Sequence, residues 1–237
     1  MAGLLNNLGE LYGETRRLKE AADALAEALS ICRELEKANP GAYGPDVAQT
    51  LNNLGNAYGR SSRLDEADAV YTEAFQRYRE LSKANPQAYL PWVAQTRGNL
   101  GNVYFYKGRV KEAEENLSEA LKMYRELVDL NSKVHLRDIA WVLNNLGTLY
   151  AETQRPKDAR AAYEEALQDF RELAKANPKA FQLDVVRILN GLGLLYISEG
   201  QNALAAPFCN EAAEMLKRFA AENPAEYSPL LARVCVN

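Results

Sequence analysis

The chain has 237 residues, 47% of them hydrophobic and 25% charged, with 28 basic against 32 acidic side chains and a formal net charge of −4. That balance carries no basic footprint for a phosphate backbone, which excludes nucleic acid as an expected partner. No uninterrupted apolar run approaches the roughly 20 residues of a bilayer-crossing helix, so no membrane association is expected.

The opening MAGLLNNLGE has neither a basic nor an apolar signal region, and the expected compartment is the cytoplasm. Residues 2–15 read as a short first helix and 18–37 as a second, stopping before Asn39 and Pro40 because the residue ahead of a proline is disfavoured in helical conformation. The same stop recurs at Asn85 and Pro86, Asn177 and Pro178, and Asn223 and Pro224.

Residues 51–58, LNNLGNAY, carry the pattern that organises the rest. The glycine within it recurs at Gly9, Gly55, Gly101, Gly147 and Gly193, always 46 residues apart. A strict period longer than a helix and shorter than a domain marks a solenoid, in which each repeat covers its neighbour's apolar face. Leu51, Leu54 and Tyr58 follow the i, i+3, i+7 spacing of one helical stripe. Gly55 lies on that stripe. Glycine in a helix costs about 1 kcal/mol against alanine, so its recurrence predicts close approach of a second helix. That helix follows a polar turn at 60–63 and buries Ala67, Tyr71, Ala74, Tyr78 and Leu81; Ala113 and Ala120, then Ala159 and Ala166, repeat its small positions.

In the second repeat Pro45 and Asp46 are expected to open the first helix, after a non-helical connector. The third begins similarly at Pro91, with Trp92 in place of the aspartate. Asn131 and Ser132 replace the Asn-Pro stop before the fourth repeat, whose second helix opens at Pro156. Pro207, about a turn into the second helix of the fifth, predicts a kink or a later start. Residues 228–236 match the beginning of another first helix and read as a C-terminal cap.

Cys32, Cys209 and Cys235 share no metal-type spacing and are expected to be three thiols, with Cys32 in the core. His135, the only histidine, replaces a connector tyrosine and is not expected to be a ligand. No phosphate-binding loop, nucleophile elbow or zinc-binding helix motif occurs. No catalytic residue, metal or cofactor is expected.

Leu51, Leu54, Gly55, Tyr58, Ala67, Tyr71 and Ala74 reproduce the spacing of the tetratricopeptide repeat, which the chain resembles throughout, with leucine in place of the usual tryptophan. The 46-residue length and the LNNL run are similar to the extended repeats of kinesin light chain and its bacterial relatives. The resemblance implies an all-α, right-handed superhelical solenoid of antiparallel helix pairs. Its repeats are placed at 1–43, 44–89, 90–135, 136–181 and 182–227, with a capping fragment at 228–237.

Asparagine is a mediocre helix former, yet pairs recur in mid-helix at Asn6 and Asn7, Asn52 and Asn53, and Asn144 and Asn145, with single copies at Asn99 and Asn190. They point away from the leucine stripe, toward the side that lines the concave groove in tetratricopeptide arrays. An amide there complements a peptide backbone with acceptor and donors, and the resemblance to kinesin light chain implies that these positions contact bound peptide. Their alternative role is to bond the neighbouring repeat and align the stack. Asn56, Asn102, Arg60, Phe105, Tyr106, Trp141 and Arg187 complete the candidate groove, with the aromatic residues as partner anchors. The lysine-rich pattern of chaperone-tail clamps is absent.

The expected function is a non-enzymatic scaffold that binds an extended peptide or loop of another protein. The alternatives left open are a sensor or regulatory segment of a bacterial NTPase-type signalling assembly, and self-association through the terminal repeats.

Overall fold

The protein is described by a computed structural model covering residues 1–130 and 135–235. Among the described residues there are eleven α-helices and no strand. The helices are α1 (Ala2–Glu14), α2 (Leu18–Ala38), α3 (Pro40–Arg60), α4 (Leu64–Ala84), α5 (Pro86–Tyr106), α6 (Val110–Leu130), α7 (Leu136–Glu152), α8 (Pro156–Ala176), α9 (Pro178–Ser198), α10 (Asn202–Glu222) and α11 (Pro224–Leu231). They pack as consecutive pairs within two compact units, Met1–Tyr124 and Arg125–Asn237.

The period has a simple structural origin. Helices α3 and α4 each have 21 residues, three residues join them and one asparagine follows, which together account for the 46-residue spacing. The connectors expected ahead of Pro45 and Pro91 are therefore helical, a correction to the sequence reading. Each of these first helices starts at the proline after the asparagine, and Pro45 and Pro91 lie inside α3 and α5. A proline in the first turn gives up only an amide that had no helical partner. The side-chain oxygens of Asn85 and Asn177 accept from Ala88 N at 3.2 Å and Ala180 N at 3.3 Å, capping α5 and α9. The features at Asn131 and Ser132 fall outside the described residues.

The three-residue turns share one backbone geometry. Their middle residues, Arg16, Ser62, Gly108, Gln154 and Gly200, have φ of 60°, 59°, 73°, 57° and 73°. The next residue is usually an arginine stacked on a tyrosine near the end of the preceding helix: Arg17 on Tyr12, Arg63 on Tyr58, Arg109 on Tyr104 and Arg155 on Tyr150, at 4.2–4.3 Å from the ring centres. The same arginines pair with an acid three residues on, Glu20, Glu66, Glu112 or Asp158. The reversal of direction is thus held from both sides.

In the first unit, Val47, Leu51 and Leu54 of α3 share a core with Leu25, Leu29 and Cys32 of α2 and with Ala74 and Tyr78 of α4. The alanines expected at close approach, Ala67, Ala74, Ala113 and Ala120, are all 0% exposed. A Cβ on Gly55 would lie 2.6 Å from the Tyr71 ring, and one on Gly101 would lie 2.7 Å from Leu117 Cγ. In the second unit Gly147 meets the Tyr163 ring in the same way, at 2.7 Å.

Helix α9 is long and apolar enough by composition to cross a bilayer. Counting uninterrupted runs missed it, and it packs between α8 and α10 with Ile188, Leu189 and Leu192 buried. Helix α10 begins at Asn202, ahead of Pro207, so the later start expected there does not occur. Pro207 is exposed inside the helix, on the side where a carbonyl left without its amide partner can be hydrated.

Cys32 is buried as expected. Cys209 and Cys235 are joined by a disulfide across 26 residues, which corrects the expectation of three thiols. The repeat register explains the pairing. Cys209 stands four periods after Leu25 and Cys235 four periods after Leu51, and Leu25 and Leu51 belong to one core cluster.

Candidate functional site

The asparagines lie on the first helices, and in the first unit the two positions of a pair do different work. The first member reaches forward. Asn6 Nδ2 donates to Thr50 Oγ1 at 2.7 Å, linking α1 to α3. Asn52 is 2% exposed, and its Oδ1 accepts from Asn99 Nδ2 at 3.3 Å, linking α3 to α5. In the second unit Asn190 Oδ1 accepts the Cys235 amide at 2.7 Å. The second member reaches back, as Asn99 does to Asn52 and as Asn53 Nδ2 does to Glu10 Oε1 at 2.7 Å. Asn52 is therefore enclosed in the stack rather than on an open face.

The first unit has an open cleft between α1 and α3. It has a volume of about 260 Å³ and brings together Asn53, Asn56 and Arg60 with Glu10, Glu14 and Gly13. Asn56 Oδ1 accepts the Tyr71 hydroxyl at 2.7 Å, which leaves its amide nitrogen toward the exposed side. Tyr71 is otherwise enclosed, and burial pushes its phenol well above the ordinary range. Glycines Gly9 and Gly13 keep the α1 wall low, so a ligand backbone can approach closely.

The remaining candidates are more scattered. Asn7 is exposed on α1 and Asn102 half-buried on α5. Phe105 meets Tyr106 edge-on at 5.5 Å, and Tyr106 is 72% exposed, an uncovered aromatic ring at the end of α5. In the second unit, Trp141 is half-buried on α7, and Asn144 Nδ2 points at Asn145 Oδ1 at 3.5 Å. Asn145 Nδ2 is buried without a hydrogen-bond partner, as are Asn6 Oδ1 and Gln95 Oε1 in the first unit. Arg187 pairs with Asp184 at 2.6 Å on the exposed side of α9.

The 46-residue register aligns Glu10 with Asn56 and Glu14 with Arg60 as variable groove positions, and the structure brings all four to the walls of the α1–α3 cleft. Among the described residues no three His, Cys, Asp or Glu side chains gather as a metal site. The second helices of the pairs carry ion pairs in register: Arg33 with Glu73 in the first unit, and Arg125 with Glu165 and Arg171 with Glu211 in the second.

Comparison with known proteins agrees with this architecture. The tetratricopeptide repeat family matches residues 1–80, 92–172 and 138–218. The crystal structure of BtubC (BKLC) from P. vanneervenii is similar, with a TM-score of 0.69 and 24% identity over 92% of this chain and 80% of that one. A Podosopora anserina putative kinesin light chain with nearly identical TPR-like repeats gives a TM-score of 0.65 at 14% identity, covering 92% and 95%. The apo form of the quorum sensor NprR from B. thuringiensis gives 0.64 at 20% identity, and the chain spans 55% of that protein. No curated protein matches. With matches over most of its length and a helix-pair architecture shared with kinesin light chain-like structures, the chain belongs to the tetratricopeptide repeat family.

Proposed function

We propose that the chain is a non-enzymatic binding module that takes an extended peptide segment of another protein along its first helices, with the α1–α3 cleft as the primary contact. Tetratricopeptide repeats are protein–protein interaction modules, which supports the general class. The observation that carries the finer reading is that Asn53, Asn56 and Arg60 stand in one open cleft beside Glu10 and Glu14. Amides and charges of both signs on facing walls suit a main chain with its N–H and C=O groups, flanked by side chains of either charge.

The test is selection from a displayed library of random peptides on the intact chain, followed by affinity measurement on the Asn53→Ala, Asn56→Ala, Arg60→Ala triple variant. Loss of two or three contacts at about 0.5–1.5 kcal/mol each predicts binding weaker by roughly tenfold or more. Selected peptides that bind the triple variant as well as the parent would remove the cleft from the reading.

A second reading, self-association through α1, is favoured by Leu8, which is 37% exposed where its counterparts Leu54 and Leu100 are 3% and 5% exposed. Leu4 and Leu11 extend the same stripe at 73% and 53%. Sedimentation velocity over a concentration series tests it. Mass that rises with concentration and falls back to the monomer in Leu11→Asp supports it, and a monomer throughout refutes it.

A further inference from the structure

The disulfide stands at a core position of the repeat. In the four preceding repeats the residue equivalent to Cys209 is large, Leu25, Tyr71, Leu117 or Tyr163, and each packs over the repeat glycine. In the fifth repeat a smaller cysteine stands there. The space over Gly193 is filled by two sulfurs together: a Cβ on Gly193 would lie 2.6 Å from Cys209 Sγ and would also meet Cys235 Sγ. The bonded pair does the packing that one leucine or tyrosine does elsewhere.

The segment that Cys235 belongs to has little else to hold it. Helix α11 has no buried residue. Among the described residues its contacts include the Cys235 amide on Asn190 Oδ1 at 2.7 Å, the Asn223 side-chain amide on Glu226 Oε2 at 2.8 Å, and the Phe219 and Tyr227 rings at 5.4 Å. Open space remains on both sides. A cavity of about 480 Å³ is lined by Ile197, Ala205, Leu231, Val234 and both bonded cysteines. Another of about 230 Å³ reaches Leu216 and Leu230.

We propose that the Cys209–Cys235 disulfide is a redox latch: closed, it holds 224–235 against α9 and α10, and reduction by a dithiol releases that segment. The larger cavity borders both sulfurs and gives an attacking thiolate its approach. One thiolate of the dithiol attacks a latch sulfur, breaking the S–S bond and forming a mixed disulfide. The dithiol's second thiolate then displaces the protein sulfur. The products are two cysteine thiols, which take up two protons, and the dithiol oxidised to its disulfide by two electrons. Two thiols cannot remain at bonding distance, so the sulfurs part over Gly193 and the plug in the core is lost. Without the cross-link the segment also regains the chain freedom that a 26-residue separation had denied it. Release frees the Asn190 amide and uncovers Leu216.

The test uses the full chain with chymotrypsin, dithiothreitol as the dithiol and oxidised glutathione as the oxidant. In the oxidised protein, cleavage after Tyr227 and Leu230 should be slow. Dithiothreitol should speed it roughly tenfold or more, because cleavage tracks the open population, and reoxidation should restore protection. Cys235→Ser should cleave at the fast rate with or without dithiothreitol, while Cys32→Ser keeps the full response. Circular dichroism of Cys235→Ser, with helical content equal to that of the parent, separates release of the segment from general unfolding. The latch is refuted if alkylation shows the bond reduced while the cleavage rate is unchanged, or if the oxidant leaves three free thiols by mass.

Discussion

Two glycines that look alike in sequence should respond in opposite directions to the same added methyl group. Gly59 and Gly101 both lie inside first helices, in α3 and α5. A Cβ on Gly59 meets nothing within 4 Å, whereas one on Gly101 would lie 2.7 Å from Leu117 Cγ and 3.2 Å from the Ala113 carbonyl oxygen. Alanine in place of glycine is worth up to about 1 kcal/mol in helix propensity and lost unfolded-state freedom. At position 59 nothing offsets that gain, so Gly59→Ala should be more stable by about 0.4–1 kcal/mol. At position 101 the methyl group needs Leu117 to move, and Leu117 is 1% exposed in a packed core. The carbonyl of Ala113 belongs to a helix backbone and yields less readily still. Overpacking of this kind costs about 1–3 kcal/mol, which exceeds the propensity gain. Gly101→Ala should therefore be less stable than the parent, and Gly101→Leu much less so. Urea titration followed by circular dichroism at 222 nm measures both. If Gly101→Ala gains as much as Gly59→Ala, the helices do not approach closely at the repeat glycine, and the account of the core is wrong.

Three further outcomes follow from the structure. The Asp169 carboxyl is pushed up to about 6, first by burial and then by Glu165 and Glu172, with Arg125 opposing. Its folded value lies above the ordinary carboxylate value, so its contribution to stability is full below about pH 4 and is lost as pH rises through about 6. Asp169→Asn should accordingly raise Tm at neutral pH and leave it nearly unchanged near pH 4. Cys32 is 2% exposed and burial raises its thiol pKa, so it should resist iodoacetamide in the native chain and label fully in urea, as read by mass spectrometry. Asn52→Ala removes an enclosed partner of Asn99 and should destabilise by about 1–3 kcal/mol, whereas the exposed Asn7→Ala should leave the melting curve in place.

The helix pairs were legible because one pattern is written several times in the same register. Gly55, Leu51 and Ala67 each identify a close contact, and the repetition makes the period secure. The connectors were misread for a local reason: Pro45 looked like a helix start, and nothing nearby shows that the chain has been helical since Pro40. The asparagines were legible as a feature but not as a mechanism. Adjacent residues on a helix point about 100° apart, so Asn52 turns into the stack while Asn53 reaches Glu10 at the cleft. The disulfide escaped notice because the spacing of two cysteines carries no framework by itself. Only projecting Cys209 and Cys235 onto Leu25 and Leu51 brings them together.

The five left-handed turns constrain how such an array can grow by duplication. Every copied unit must supply, at one fixed position, a residue that tolerates φ near +60°, as Arg16, Ser62 and Gln154 do at some cost and Gly108 and Gly200 do freely. A valine, isoleucine or threonine drifting into that position would disfavour the reversal that returns the second helix onto the first. Sequence divergence among copies is thus filtered at a site that touches neither the core nor a ligand, and glycine is the residue toward which unselected copies can drift without penalty.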